Sequence, residues 1–139
     1  MPAALLKARL QAAREAAAKN LREKSGDQIC REYCRSVDVL LREHFRRTLA
    51  QTPAAGRFGG GVALLALGGY GRRDLCLFSD LDLLFVFGEE PGGAQEDFIK
   101  RFFHPLWDVG VTVGHSTHSL DSALGLVGEN LDSTTALME

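Results

Sequence analysis

Two apolar runs of strand length, residues 62–67 and 81–87, flank a stretch that opens on glycines and ends on two aspartates. Continuous apolar runs this short are expected of buried strands. Gly68, Gly69 and Gly71 follow the first run at once, so the chain can turn sharply there and leave its backbone uncovered. Side chains alternate along a strand. Asp80 and Asp82 therefore share one face, while Leu81 and Leu83 point into the core. Two carboxylates this close repel each other unless a cation lies between them. Mg²⁺ prefers oxygen ligands and often takes one or two carboxylates together with substrate phosphates. Arg72 and Arg73 supply positive charge beside such phosphates, and Ser79 supplies a hydroxyl. Glycines after a strand are often only turn formers, and paired aspartates can be the wet face of an edge strand. The two features in this order, between two apolar strands, point to phosphate and metal chemistry. The stretch has no Gly-Lys-Ser/Thr of a P-loop and no Gly-x-Gly-x-x-Gly after Leu67.

The surrounding pattern predicts an α+β domain. Leu6, Leu10, Ala13, Ala17 and Leu21 recur at helical spacing, and Asp27 is read as the N-cap of a second helix. That helix carries Ile29, Tyr33, Val37, Leu40, Leu41, Phe45 and Leu49 on one face. Residues 51–61 read as a flexible, glycine-rich connection, and residues 68–79 as a loop with one helical turn. A helix over 95–107 presents Phe98, Phe102, Phe103 and Leu106 inward. A third strand is expected over 111–117, then a helix over 120–128 capped by Ser119 with Asp121 in its first turn. The division expected is a helical segment, 1–56, and a core, 57–139, with a small mixed sheet under packed helices.

Composition excludes several function classes. With 139 residues there is room for one domain, and a net charge of −2 argues against broad electrostatic attraction to nucleic acid. The basic residues Arg42, Arg46 and Arg47 read as the solvated face of a helix. The three cysteines, an odd number without a secretory signal, suit a reducing cytoplasm. Cys30 and Cys34 stand one helical turn apart without further zinc ligands nearby, and read as buried apolar residues. No apolar run reaches the roughly 18 residues of a membrane span, so neither membrane nor nucleic acid is an expected partner.

The string Gly68-Gly69-Tyr70-Gly71-Arg72-Arg73-Asp74-Leu75, followed by Ser79-Asp80-Leu81-Asp82-Leu83-Leu84, resembles the polymerase-β-type nucleotidyltransferase superfamily. More narrowly, it resembles the N-terminal nucleotidyltransferase domain of the bacterial PII uridylyltransferase/uridylyl-removing enzyme family. Pro105-Leu106-Trp107-Asp108-Val109-Gly110 and Val113-Gly114-His115-Ser116 extend the match. The resemblance implies a polymerase-β-like core and transfer of UMP from UTP to a tyrosine hydroxyl of the PII signalling protein, in nitrogen regulation. It implies that Asp80 and Asp82 bind Mg²⁺, or Mn²⁺, and do the catalytic work. It implies that Gly68, Gly69, Gly71, Arg72 and Ser79 contact the nucleotide. Full family members continue into HD and ACT domains, so a chain ending at Glu139 is expected to lack uridylyl removal and glutamine sensing. Relatives often carry a third carboxylate where this chain has Thr112 on the third strand, with His115 the nearest titratable alternative. That substitution opens a second reading, a nucleotide-binding module without turnover. A third, a stand-alone nucleotidyltransferase of antitoxin type, is disfavoured by the match around Trp107 and His115.

Overall fold

The computed structural model describes residues 1–129; residues 130–139, the end of the expected core segment, lie outside the described residues. The chain begins with α1 (Ala3–Lys19), which buries Leu6, Leu10 and Ala17. Leu21 falls in a separate 3₁₀ turn, Asn20–Arg22, and is exposed rather than part of that stripe. The next helix, α2 (Gly26–Ala50), is capped by Ser25 and not by Asp27. Ser25 Oγ accepts from the Gln28 amide at 3.4 Å and Gln28 Oε1 accepts from the Ser25 amide at 3.1 Å, a reciprocal box that satisfies two orphan donors. Asp27 instead stands in the first turn, where a negative charge suits the helix dipole. Glu43 pairs with Arg9 of α1 and with Arg47 of its own helix.

Residues 51–61 are more ordered than a flexible connection. They contain a 3₁₀ turn, Ala55–Arg57, and bury Thr52 and Phe58. They lead into β1 (Val62–Ala66), a single helical turn α3 (Gly68–Gly71), and β2 (Leu81–Phe87). Then come α4 (Gly93–Asp108), β3 (Val113–Ser119) and α5 (Leu120–Glu129). Ser119 Oγ accepts from the Ser122 amide at 3.2 Å, the cap expected for α5. The architecture is the α+β one expected, a three-stranded mixed sheet with helices packed on it.

The strand order is β1-β2-β3, with β1 antiparallel and β3 parallel to the central β2. β1 is therefore an edge strand. Val62 and Leu64 turn partly inward, while Ala63, Leu65 and Ala66 are exposed, so the strand is one-sided and not buried as its apolar run suggested. β2 does occupy the interior: Leu81, Leu83, Leu84, Phe85 and Phe87 are all buried. Phe85 is the hub. Its ring meets Phe98, Phe102 and Phe103 of α4 edge-on, with centroids 5.7, 5.3 and 5.6 Å away. Each such buried ring contributes roughly 1.5–3 kcal/mol in area terms, plus a smaller gain from edge-to-face geometry.

The helical segment shares this core. Phe45 of α2 packs edge-on against Phe98 at 5.7 Å, and His44 stacks on Phe102 at 4.8 Å. His44 Nε2 donates to the Phe102 carbonyl at 2.8 Å, which leaves Nδ1 to accept from the Met1 amine at 3.1 Å. Burial holds its pKa below the usual histidine range, so the ring is a neutral structural bridge. Among the described residues no helix is long and apolar enough to cross a membrane.

Candidate functional site

The site is built where β1 ends. The chain leaves the strand at Leu67, whose amide donates to the Asp82 carbonyl at 2.9 Å and so fixes the turn to β2. Gly68 follows with φ of +55°, a left-handed conformation that only glycine adopts at little cost. The Gly71 amide then donates to Leu67 at 2.9 Å and the Asp74 amide to Gly69 at 2.7 Å, closing a compact loop.

The glycines differ in what they do. A Cβ at Gly71 would stand 2.7 Å from the Ala66 carbonyl oxygen, so that position is closed to any side chain. A Cβ at Gly68 would come within 3.0 Å of Asp82 Oδ2. At Gly69 a Cβ would meet only the Asp74 carbonyl at 3.8 Å, an ordinary contact. Strict internal need for glycine therefore rests on Gly68 and Gly71, and Gly69 is open on its outer side.

Across the sheet, Asp82 pairs with Gly114 of β3, and a Cβ there would collide with Asp82 Oδ1. The Asp82 carboxylate thus lies in a slot between two positions without side chains, Gly68 and Gly114. It opens on a cleft of about 410 Å³ lined by Leu67, Gly68, Asp82, Leu83, Gly114, His115 and Ser116. Of the predicted site residues, the cleft gathers Gly68 and Asp82. Asp80, exposed, immediately precedes β2, and exposed Ser79 stands before it with its amide bonded to the Cys76 carbonyl at 3.1 Å. Arg72 is half exposed and lies 3.9 Å from Asp74 within the loop. A larger cavity, about 480 Å³, lies between α2 and β1 and is lined by Phe45, Val62, Leu64 and Leu83, on the sheet face opposite Asp82.

Two parts of the site were not foreseen as such. Gly114 appeared in the sequence only as part of a motif match, and its close approach to Asp82 is visible only once the strands are paired. Gly114→Ala is expected to push the Asp82 carboxylate aside without unfolding the chain, because the obstacle is a side-chain tip. On the expectation that Asp82 holds Mg²⁺ for a nucleotide, the affinity measured by calorimetry falls on the order of tenfold, as when a ligand's support is disturbed. The second is Tyr70. Its ring is buried and its hydroxyl donates to Asp38 Oδ1 of α2 at 2.7 Å, which anchors the glycine loop to the helical segment. Burial, and then the bond to Asp38, raises the phenol pKa well above its ordinary value, so Tyr70 stays protonated and structural. An aromatic residue set among glycines was the available signal. Tyr70→Phe is expected to cost about 1 kcal/mol in urea unfolding.

The third strand departs from expectation. It begins at Val113, so Thr112 lies just ahead of it, exposed, with its carbonyl accepting from the Leu81 amide at 3.0 Å. His115 pairs with Leu83 and packs on Phe103 at 4.3 Å, with Trp107 at 5.9 Å. Its ring belongs to the α4 side of the sheet, not the Asp82 side. Among the described residues no group of three or more His, Cys, Asp and Glu is placed to hold a metal ion.

No protein-family model matches the chain. Curated relatives do. The chain is 36% identical over 135 residues to the bifunctional uridylyltransferase/uridylyl-removing enzyme of Bordetella avium, covering 96% of this chain and 15% of that protein. The enzyme of the same description from Novosphingobium aromaticivorans is 32% identical over 139 residues, 97% of this chain and 15% of the relative. That of Phenylobacterium zucineum is 41% identical over 78 residues, 56% of this chain and 8% of the relative. The chain thus spans about 15% of the length of the curated relatives that match nearly all of it.

Proposed function

The chain belongs to the bifunctional uridylyltransferase/uridylyl-removing enzyme family, and on that premise we propose that it is a nucleotidyltransferase domain acting on UTP. The acceptor proposed is a tyrosine hydroxyl of the PII signalling protein, with pyrophosphate as the second product. The observation that carries this reading is the Asp82 carboxylate held in a slot between Gly68 and Gly114, at the mouth of the glycine loop.

The triphosphate is taken to lie against Gly68, Gly69 and Gly71, where missing side chains leave the backbone approachable. Arg72 and Ser79 supply a cation and a hydroxyl to its oxygens. Asp80 and Asp82 form a donor set that fits Mg²⁺ or Mn²⁺: two exposed carboxylates, one with no Cβ on either flank. Mg²⁺ bound there would neutralise the charge of the triphosphate and of the departing pyrophosphate. In the transfer, the tyrosine oxygen bonds to the α-phosphorus as the bond from that phosphorus to the β-phosphate oxygen breaks. The hydroxyl proton must leave in the same process. Tyr70, buried and bonded to Asp38, keeps the loop in place and takes no part in that proton transfer.

A second reading, nucleotide binding without turnover, is favoured by one observation, that no third acid joins Asp80 and Asp82 among the described residues. One experiment separates the two. The chain is incubated with UTP, Mg²⁺ and PII, and pyrophosphate release is followed beside calorimetric UTP binding, with ATP and CTP as controls. Release that depends on PII supports transfer. Binding without release supports the second reading, and the lack of both overturns the nucleotide site.

A further inference from the structure

Cys30 of α2 and Cys76 of the loop before β2 are distant in sequence, yet their Sγ atoms stand 3.7 Å apart as free thiols. Cys76 is exposed and Cys30 half-buried, so the pair is open to a small reagent from the Cys76 side. Cys34, one turn along α2, is buried and is not part of the contact. A disulfide has sulfurs about 2.05 Å apart, so closure needs the two sulfurs, one on a helix and one on a loop, to approach by less than 2 Å. We propose that Cys30 and Cys76 form a reversible redox site that staples the glycine loop to α2.

The position gives the staple its consequence. The Cys76 carbonyl accepts from the Ser79 amide at 3.1 Å, so fixing Cys76 fixes the turn that presents Ser79 and Asp80. Weaker ties already join this loop to the helical segment, among them a hydrogen bond between the Cys34 thiol and the Leu75 backbone. Tyr70 bonds to Asp38, and Arg14 of α1 lies over the exposed Phe78 ring at 5.6 Å from its centre. These are reversible non-covalent contacts, whereas the Cys30–Cys76 contact can become covalent. The oxidant is a low-molecular-weight disulfide such as oxidised glutathione. The Cys76 thiolate attacks one of its sulfurs and releases one reduced thiol. Cys30 then loses its proton and displaces the second, so one disulfide is exchanged for another and no electrons are left over. Burial raises the Cys30 pKa, which makes this second displacement faster as the pH rises.

The test uses the whole chain at pH 8 with excess oxidised glutathione, followed by non-reducing peptide mapping, free-thiol counting, thermal melting and hydrogen exchange. The expected result is a peptide linking Cys30 to Cys76 within one chain, with free thiols falling from three to one. The melting midpoint should rise by about 10 °C, and amides of residues 71–79 should exchange more slowly. All of these changes should reverse with dithiothreitol and be absent in Cys76→Ser and in Cys30→Ser. An unlinked or glutathione-capped pair, a link through Cys34, or a link between two chains would overturn the proposal. So would an internal link that leaves exchange in residues 71–79 unchanged. None of these readouts involves nucleotide, so they judge the staple separately from the function proposed above.

Discussion

Replacing both Asp80 and Asp82 by Asn should abolish Mg²⁺-dependent nucleotide binding while leaving the fold intact. Even outer support of a metal ligand is worth roughly 10–100-fold in affinity, so removing both carboxylates should cost more than about 100-fold. Stability should change little, because Asp80 and Asp82 are exposed and the residues between and after them, Leu81, Leu83 and Phe85, carry the packing. Without a cation the two charges also repel, so neutralising them removes a small unfavourable term. The melting midpoint of the double variant should match that of the parent, and calorimetry with UTP and Mg²⁺ should show no heat. Unchanged affinity in a folded double variant would remove the two aspartates from the site.

The same stretch shows how far the sequence could be read. β2 was legible to the residue, because a continuous apolar run of strand length marks a central strand, and Leu81, Leu83, Leu84, Phe85 and Phe87 are all buried. Four of the five buried residues of α4, Phe98, Phe102, Phe103 and Leu106, were legible from apolar residues at helical spacing, and the fifth, Gln95, is polar. β1 misled because its outward residues, Ala63 and Leu65, are apolar too. An edge strand with an apolar outer face has no polar alternation to distinguish it from a buried one. β3 starts at Val113, two residues later than the apolar pattern predicts. Val111 is buried as a strand residue would be, but its amide bonds to the Leu106 carbonyl and so closes the end of α4 instead. Ser25 and Gln28 have the spacing of a capping box, a more specific signal for the cap than Asp27 alone. At the site, the pairing of glycines with carboxylate was readable in kind, since Gly68 and Asp82 do meet. The contribution of Gly114, and the tie from Tyr70 to Asp38, depend on which strands and helices become neighbours, and that is a property of the assembled sheet.

Thr112→Glu should raise the rate of pyrophosphate release with PII as acceptor by roughly 100-fold, the lower end of what a positioned base supplies. The register gives the reason. Gly114 is level with Asp82, and the Leu81 amide bonds to the Thr112 carbonyl, so the Thr112 backbone lies beside the start of β2, next to Asp80. A glutamate there adds one carboxylate, able to take the proton of an attacking hydroxyl or to serve as a further oxygen ligand. Threonine cannot act as a base at neutral pH, and its neutral hydroxyl is a weaker metal ligand than a carboxylate. His115 offers no substitute, since its ring is packed on Phe103 across the sheet. Thr112 is exposed and outside the ladder of β3, so the larger side chain should cost little stability. Two readouts bear on the same claim. Without Mg²⁺ the added charge increases repulsion among the acids, so nucleotide affinity should depend more steeply on Mg²⁺ in the variant than in the parent. If the variant binds UTP but is no faster, Thr112 does not occupy the proton-accepting slot. If the unmodified chain already turns over at the rate of the variant, the proton leaves by a route that needs no third acid, and the pair of aspartates suffices.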